Sequence, residues 1–245
     1  MKQFGLIGYP LSHSFSKGYF TEKFLKENIT DCKYDIFPLE KIEDFNDLCE
    51  QYTNLVGLNV TIPFKQAIIP FLDELDEIAA NIGAVNTIKF MGGKKIGYNS
   101  DAYGFEMSLK PLLKQHHKNA LILGTGGASK AVEYVLKKLG IQFQYVSRTK
   151  SENAILYDEL NEDIINHSTL IINSTPIGMY PNVEASPSIP YQFITDKHLL
   201  YDLIYNPEET KFLKEGKQGA AQTKNGLEML HLQAERSWQI WNNIE

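Results

Sequence analysis

Residues 120–140 read ALILGTGGASKAVEYVLKKLG, in which a strand, a glycine turn and a helix follow one another without a break. The apolar run at its start is typical of a buried strand, and the rest has the spacing of an amphipathic helix. The turn departs from the G-x-G-x-x-G pattern only at Ser129, which takes the place of the third glycine and is small enough for close helix–strand packing. The stretch therefore predicts a dinucleotide-binding βα unit. The alternative is a tight βα turn that binds nothing.

The strand that follows indicates which dinucleotide. The backbone N–H groups of residues 126–129, at the helix N-terminus, are suited to a pyrophosphate. An NAD site usually has an acidic residue about 20 positions after the glycines, but FQYVS at 143–147 leads into Arg148-Thr149-Lys150. A carboxylate would repel a 2′-phosphate, whereas arginine binds it with a planar fork. We therefore expect NADP rather than NAD, the alternative being a solvated basic turn.

Strand and helix patterns alternate along most of the chain, which predicts an α/β protein with mainly parallel strands. Strands are expected at 4–8, 34–37, 57–62, 120–124, 143–147, 169–173 and 199–205, and helices at 16–28, 39–52 and 127–140. The segment AVNTIKF-MGGKK-IGYNS is the exception and predicts a hairpin with a Gly-Gly turn. The last segment, NGLEMLHLQAERSWQIW, predicts an amphipathic helix that needs a partner surface.

Composition excludes several classes of protein. The chain has 245 residues, 43% of them hydrophobic and 22% charged, as in an ordinary globular protein of one or two domains. A net charge of −6 leaves no basic excess for nucleic acid. Without a membrane span or a cleavable leader, a cytoplasmic location is expected. Cys32 and Cys49 are expected to be reduced thiols, and no ligand cluster indicates a metal.

Polar side chains fall where predicted strands end. Asn59 and Thr61 share one face of the strand at 57–62, and Lys65 follows it. Other polar residues with this placement are Ser12, Ser14, Ser16, Asn86, Thr87 and Asp101. Singly, each could be a cap, a turn residue or a solvated charge. Together they favour a ligand site, because ligands of α/β proteins bind beyond the carboxyl ends of strands.

Nine segments, taken in order, resemble the shikimate dehydrogenase family over residues 5–235: GYPLSHSFS, GLNVTIPFK, GAVNT, NSDAYGF, GTGGASKA, SRT, NSTPIGM, YDLIYNPEET and NGLEMLHLQA. The resemblance implies an enzyme that reduces 3-dehydroshikimate to shikimate with NADPH, in the pathway to aromatic amino acids. It also implies two α/β domains with the site in the cleft. A substrate domain would comprise residues 1–100 and 224–245, and a Rossmann-type NADP domain residues 101–223.

The resemblance also implies roles for individual residues. Lys65 and Asp101 match the family's catalytic pair, and whether Lys65 is a proton relay or an electrostatic anchor stays open. The implied substrate residues are Ser14, Ser16, Asn59, Thr61, Asn86, Tyr205 and Gln233. The implied cofactor residues are Gly124, Thr125, Gly126, Gly127, Ala128, Ser129, Ser147, Arg148, Thr149, Asn173, Ser174, Thr175, Leu203 and Gly226.

The sequence departs from the family's usual pattern at Lys17, at Phe20-Thr21, at NSDA (99–102) and at Asn225, and the second domain is expected to have trimmed loops. These changes keep the catalytic pair but leave the choice among related cyclohexene acids open. One alternative is a quinate/shikimate dehydrogenase that prefers NAD, against which Arg148 argues. The other is a non-catalytic ligand sensor, which would need a DNA-binding module for which the length and charge leave no room.

Overall fold

The computed structural model describes residues 1–11 and 15–244, so Ser14 lies outside the described residues. By its internal contacts the chain divides into two compact units, one of Met1–Ser100 with Ala234–Glu245 and one of Asp101–Gln233. Each unit contains a six-stranded sheet with helices. The predicted α/β class is confirmed.

The helices and strands follow the predicted alternation. The strands are β1 (Lys2–Gly8), β2 (Cys32–Pro38), β3 (Leu55–Val60), β4 (Glu74–Leu75), β5 (Thr87–Met91), β6 (Lys94–Tyr98), β7 (Asn119–Leu123), β8 (Gln142–Ser147), β9 (Ala154–Leu156), β10 (Leu170–Asn173), β11 (Leu199–Asp202) and β12 (Gln222–Lys224). The helices are α1 (Phe15–Lys26), α2 (Phe45–Gln51), α3 (Glu77–Ile82), α4 (Ser100–Leu109), α5 (Gly127–Lys138), α6 (Glu162–His167), α7 (Lys211–Gln218) and α8 (Leu227–Asn242).

The first unit contains a mixed sheet in the order β2-β1-β3-β5-β6-β4. Strand β1 pairs in parallel with β2 and β3, while β5 and β6 form the predicted antiparallel hairpin around Gly92-Gly93. The C-terminal part of α8 completes the core of this unit, where Trp238 and Trp241 pack against Phe4 and Phe20. The expectation that the last helix needs a partner surface is confirmed.

The second unit contains an entirely parallel sheet in the order β9-β8-β7-β10-β11-β12. This is the 3-2-1-4-5-6 order of dinucleotide-binding domains. The order reverses between β7 and β10, and the loops after these two strands therefore leave a crevice at the carboxyl edge of the sheet. The predicted Rossmann-type fold is confirmed.

The connection between β8 and β9 is shorter than such a fold usually has. The two strands are parallel, with Ser147 opposite Leu156, yet only residues 148–153 join them. Parallel neighbours usually need a crossover of about a dozen residues or more, most often a helix. A loop suffices here because β9 has only 3 residues.

Several predicted elements end a residue or two early in the structure, and two are shorter by three residues or more. The helix expected over 39–52 begins at Phe45, because the backbone of Lys41 is extended and only a short helical turn precedes α2. The strand expected over 199–205 ends at Asp202, because the carboxylate of Asp202 accepts a hydrogen bond from the N–H of Ile204 (3.0 Å) and turns the chain.

Candidate active site

A cleft of about 560 Å³ lies at the carboxyl edge of the parallel sheet in the second unit. It is lined by the glycine turn after β7, the tip of β8 and the loop after β10. The lining residues are Gly124, Thr125, Gly126, Val146, Ser147, Arg148, Thr149, Tyr157, Ser174, Thr175, Pro176 and Ile177. The structure thus brings three of the predicted cofactor segments to one cleft.

The glycine turn is shaped by the close approach of the loop after β10. Gly124 has a φ of +96°, and a β-carbon there would lie 2.7 Å from Cγ2 of Thr175, so only glycine fits. Ser129 is buried and donates to the carbonyl of Gly126 from both its N–H (3.1 Å) and its hydroxyl (2.6 Å). Ser129 therefore closes the turn at the start of α5, where the helix N-terminus favours an anion.

The tip of β8 supplies positive charge to the cleft. Arg148 is exposed, and the neighbouring N–H of Thr149 donates to Oγ of Ser147 (3.2 Å). Tyr157 lines the same cleft, and its hydroxyl is buried with no hydrogen-bond partner among the described residues. Burial raises the pKa of Tyr157, and the charge of Arg148 opposes that shift. The guanidinium of Arg148 and the unpaired hydroxyl of Tyr157 could both bind an anionic group such as the 2′-phosphate of NADP.

A buried carboxylate stands behind the loop after β10. Oδ1 of Asp202 accepts from Nδ2 of Asn173 (3.1 Å), and Oδ2 accepts from the hydroxyl of Thr210 (2.6 Å). Burial raises the pKa of Asp202 to about 6, against the opposing effect of these hydrogen bonds. Asn173 is itself buried, and its Oδ1 accepts from both the N–H (3.1 Å) and the hydroxyl (2.6 Å) of Thr175. Asn173 therefore links the buried Asp202 to Thr175, which lines the cleft.

The two residues predicted to surround the nicotinamide lie against each other. A β-carbon on Gly226 would approach the carbonyl oxygen of Leu203 to 2.1 Å, so this contact requires glycine. The N–H of Gly226 donates to the carbonyl of Ile204 (3.0 Å), and the N–H of Leu203 donates to the carbonyl of Asn173 (3.0 Å). The loop after β11 is thereby hydrogen-bonded to the end of β10.

In the first unit, five buried side chains form a network that we call the neutral cluster: Asn59, Asn86, Thr87, Ser100 and Ser237. Nδ2 of Asn59 donates to Oγ of Ser237 (2.9 Å), and Nδ2 of Asn86 donates to Oγ of Ser100 (2.9 Å). The hydroxyl of Thr87 lies 2.8 Å from that of Ser237 and 3.2 Å from that of Ser100, and so joins the two pairs. Two predicted substrate residues, Asn59 and Asn86, therefore belong to one network.

Two more predicted substrate residues lie next to elements of this network. Ser16 hydrogen-bonds Tyr34, a buried residue whose pKa is raised by that burial. The hydroxyl of Tyr34 in turn donates to Oδ1 of Asn59 (2.8 Å). Thr61 is half-buried just after the end of β3. Ser16 is thus connected to the neutral cluster through one tyrosine.

The predicted catalytic pair is divided between the two units. Lys65 is half-buried in the first unit, and its carbonyl accepts from the N–H of Val85 (2.7 Å), the residue before Asn86. Asp101 is half-buried in the first turn of α4, in the second unit. The same unit contains Tyr205, which is exposed, and Gln233, which is buried in α8.

Comparison with known proteins decides the family. Residues 6–88 match the family model described as the shikimate dehydrogenase substrate binding domain. A protein of Methanosphaera stadtmanae named shikimate dehydrogenase (NADP(+)) is 39% identical over 97% of this chain and 90% of its own length. This chain belongs to the shikimate dehydrogenase family. The resemblance drawn from its motifs is confirmed.

Solved shikimate dehydrogenase structures match nearly the whole chain. The enzyme from Aquifex aeolicus is 36% identical with a TM-score of 0.87, covering 99% of this chain and 93% of that one. Shikimate 5-dehydrogenase from Thermus thermophilus, in complex with NADP(H) and shikimate, is 28% identical with a TM-score of 0.88, covering 99% and 94%. This member of the family therefore retains the fold of its relatives in spite of its short β8–β9 connection.

Asp202, Ser237 and Tyr157 were not predicted from the sequence, although a common signal could have identified the first two. Asp202 is an acidic residue in the apolar run LLYDLIY, and Ser237 falls on the apolar stripe of α8 between Ala234 and Trp238. A polar residue inside a buried pattern needs a hydrogen-bond partner, and is therefore a candidate for a structural or functional network. Tyr157 gives no such signal, because tyrosine is common at partly buried positions.

Within residues 1–11 and 15–244, no group of three or more His, Cys, Asp or Glu side chains could hold a metal ion. None of the helices in that part of the chain has the length and apolar character to cross a membrane. Cys32 and Cys49 are free, and burial raises the pKa of each to about 11, so both thiols are uncharged near neutral pH.

Proposed function

We propose that this protein is an NADP-dependent shikimate dehydrogenase, an oxidoreductase that interconverts 3-dehydroshikimate and shikimate. The observation that carries the proposal is its membership of the family over nearly the whole chain. The second unit supports the choice of cofactor, because a glycine turn and a basic strand tip line one cleft at the switch point of a parallel sheet.

The NADP domain, residues 101–223, is proposed to bind the cofactor through loops at the carboxyl edge of its sheet. The turn of Gly124–Ser129 binds the pyrophosphate through its backbone and the N-terminus of α5. Ser147, Arg148 and Thr149 bind the 2′-phosphate. The residues after β10 and Leu203 surround the rest of the cofactor, together with Gly226, which lies just beyond this domain, after β12. When bound, NADPH supplies the hydride for the reaction.

The substrate domain, residues 1–100 and 224–245, is proposed to bind a small polyol that carries one carboxylate. Asn59, Thr61 and Asn86 contact its hydroxyls, together with Gln233, while Ser14 and Ser16 hold the carboxylate and Tyr205 lies close by. Among the described residues, Nδ2 of Asn86 uses one of its two N–H groups, for Ser100, so that the other is available to a hydroxyl. The proposed set contains no arginine, the residue that phosphorylated substrates usually recruit.

Lys65 is proposed to stabilise charge on the substrate oxygen. As the ketone is reduced, its oxygen gains negative charge, which the Lys65 ammonium stabilises while it gives up a proton. In the direction of oxidation, Lys65 accepts the hydroxyl proton. Asp101 orients Lys65 and contacts a substrate hydroxyl.

The test is a spectrophotometric assay at about 340 nm, where the reduced nicotinamide absorbs. Purified protein is incubated with shikimate or quinate and with NADP⁺ or NAD⁺, in all four combinations. We expect the highest kcat/KM with shikimate and NADP⁺. A higher value with quinate and NAD⁺ would show the alternative dehydrogenase instead, and shikimate binding by calorimetry without turnover in any combination would show a sensor.

A further inference from the structure

The loops after β10 and β11, which carry three of the proposed cofactor residues (Ser174, Thr175 and Leu203), converge on the carboxylate of Asp202. Its Oδ1 accepts from Nδ2 of Asn173 (3.1 Å), at the end of β10, and from the N–H of Ile204 (3.0 Å), beyond the end of β11. Oδ1 of Asn173 in turn accepts a hydrogen bond from the hydroxyl of Thr175 (2.6 Å). That hydroxyl accepts from the N–H of Ile177 (3.2 Å). Thr175 and Ile177 line the cleft.

The carboxylate is held by hydrogen bonds alone. Asp202 is fully buried, and its three bonds, from Asn173, Ile204 and Thr210, all come from neutral donors. No lysine or arginine in the described part of the chain forms an ion pair with it. Two lysines on neighbouring elements have other partners, since Lys224 on β12 pairs with Glu228 and Lys217 on α7 pairs with Glu209.

Within the described part of the chain, Tyr191 is a second titratable group near Asp202. Tyr191 interacts electrostatically with it, and burial raises the pKa of Tyr191, so its hydroxyl stays protonated and uncharged near neutral pH. Asn173 of β10 and Thr210 at the start of α7 are neutral at every pH. Of these four side chains, Asp202 is therefore the one that changes its charge between pH 5 and pH 8.

We infer that Asp202 is a positioning residue for the cofactor, one that fixes the loops after β10 and β11 in the geometry that NADP requires. A carboxylate can only accept hydrogen bonds, so it dictates the direction of every donor around it. Bonds to a charged acceptor are also roughly twice as strong as neutral ones. This role rests on the proposed function, because it assigns the two loops to NADP binding.

Replacement of Asp202 by asparagine tests the inference with a side chain of the same size. One carboxylate oxygen becomes an NH₂ group, which opposes a neighbouring donor, and the remaining bonds lose their charge assistance. At pH 8 we expect the Kd of Asp202→Asn for NADP⁺, measured by calorimetry, to rise about ten-fold. The KM for NADPH should rise with it, while kcat and the KM for 3-dehydroshikimate stay within about two-fold.

The pH dependence separates positioning from a general loss of stability. The pKa of Asp202 is raised by burial to about 6, so at pH 5 most of the wild-type protein carries a neutral side chain there, as the variant does at every pH. The ratio of the two Kd values should therefore fall towards one between pH 8 and pH 5. Protonation of the phosphates of NADP⁺ affects both proteins equally and cancels in this ratio.

Ser108→Ala is the matched control. The hydroxyls of Ser108 and Tyr201, the residue before Asp202, lie 2.6 Å apart in the buried part of the same unit. Loss of this bond should lower the melting temperature, as Asp202→Asn should, while the Kd for NADP⁺ stays unchanged, because the hydrogen bonds of the Ser108 hydroxyl go to Gly104, Phe105 and Tyr201 rather than to the two loops.

Three outcomes would overturn the inference. They are an Asp202→Asn protein with wild-type affinity at pH 8, a ratio of Kd values that does not change with pH, and an equal loss of affinity in Ser108→Ala. Wild-type protein that binds NADP⁺ in these experiments leaves the proposed function standing in each case. Wild-type protein that fails to bind NADP⁺ at any pH would overturn both.

Discussion

The two units bury polar groups in opposite ways. In the first, the neutral cluster exchanges hydrogen bonds among amides and hydroxyls, and none of its five members carries a charge. In the second, Asp202 carries a carboxylate that receives three donors. Hydroxyls rotate and can exchange donor and acceptor roles, whereas a carboxylate accepts only. The neutral cluster is therefore adaptable and suits a ligand with several hydroxyls, while Asp202 suits the fixing of loops.

The two units also differ in the cation that we propose each one uses. Lys65 lies close to the neutral cluster in sequence and through its backbone bond to Val85, and Arg148 lies at the tip of β8 on the cofactor cleft. We assign Lys65 to charge that develops during the reaction and Arg148 to charge that the cofactor carries permanently. Removal of each cation should therefore affect different kinetic parameters.

The largest effect is expected from Lys65→Ala. Positioned acid–base catalysis typically contributes about 10²- to 10⁴-fold, so we expect kcat for shikimate oxidation to fall by at least that order. The KM for shikimate should change little, because Asn59 and Asn86, which we propose to bind its hydroxyls, remain. Lys41→Ala, which removes an exposed lysine of the same unit, is the control and should leave both parameters unchanged. Near wild-type kcat in Lys65→Ala would refute the assignment.

A smaller effect, confined to one cofactor, is expected from Arg148→Gln. Hydrogen bonds to charged groups contribute about 1.5–3 kcal/mol, so kcat/KM with NADPH should fall about 10- to 100-fold. The value with NADH should stay the same, because NADH lacks the 2′-phosphate. Lys118→Gln removes an exposed charge just before β7, at the opposite edge of the sheet, and should alter neither value. Equal losses with both cofactors would mean that Arg148 supports the cleft rather than the 2′-phosphate.

Much of the fold could be predicted because short stretches of the sequence indicate it. The glycine turn lies between a buried strand and an amphipathic helix, and these three signals in succession favour one structural interpretation, a βα unit. The same holds for the hairpin at Gly92-Gly93, where both residues have positive φ. The Rossmann-type fold of the second unit, residues 101–233, follows from several such units in succession.

The parts that could not be predicted depend on contacts between distant residues. The strand at 199–205 was expected to continue past Asp202, because the residues on both sides of it are apolar. The carboxylate that ends the strand is held in place by Asn173 and Thr210, which lie 29 and 8 positions away in the chain. Thr87 and Ser237 meet only because α8 returns to the first unit, 150 positions further along the chain. The roles of Lys65 and Asp101 remain predictions that rest on family resemblance.

The smallest effect is expected in the free energy of unfolding, where the contribution of Asp202 depends on pH and that of the neutral cluster does not. The folded-state pKa of Asp202, about 6, lies above the ordinary value of 3.8, so the folded protein binds this proton more tightly than the unfolded chain does. The contribution of Asp202 to the free energy of unfolding is therefore complete below about pH 4 and is lost as the pH rises through 6. No residue of the neutral cluster titrates in this range.

Two variants measure that difference by urea unfolding at pH 7.5 and pH 5. The free energy of unfolding of the wild type relative to Asp202→Asn should increase by about 1.4 kcal/mol on going to pH 5, because that pH lies one unit below the folded-state pKa. Thr87→Val removes one hydroxyl from the neutral cluster at nearly constant volume and should cost about 1–3 kcal/mol at both pH values. Because each variant is compared with the wild type at the same pH, the titration of every other group cancels. If the cost of Thr87→Val depends on pH, a titrating group lies inside the neutral cluster. If the cost of Asp202→Asn does not depend on pH, the carboxylate of Asp202 ionises as it does in water, in spite of its burial.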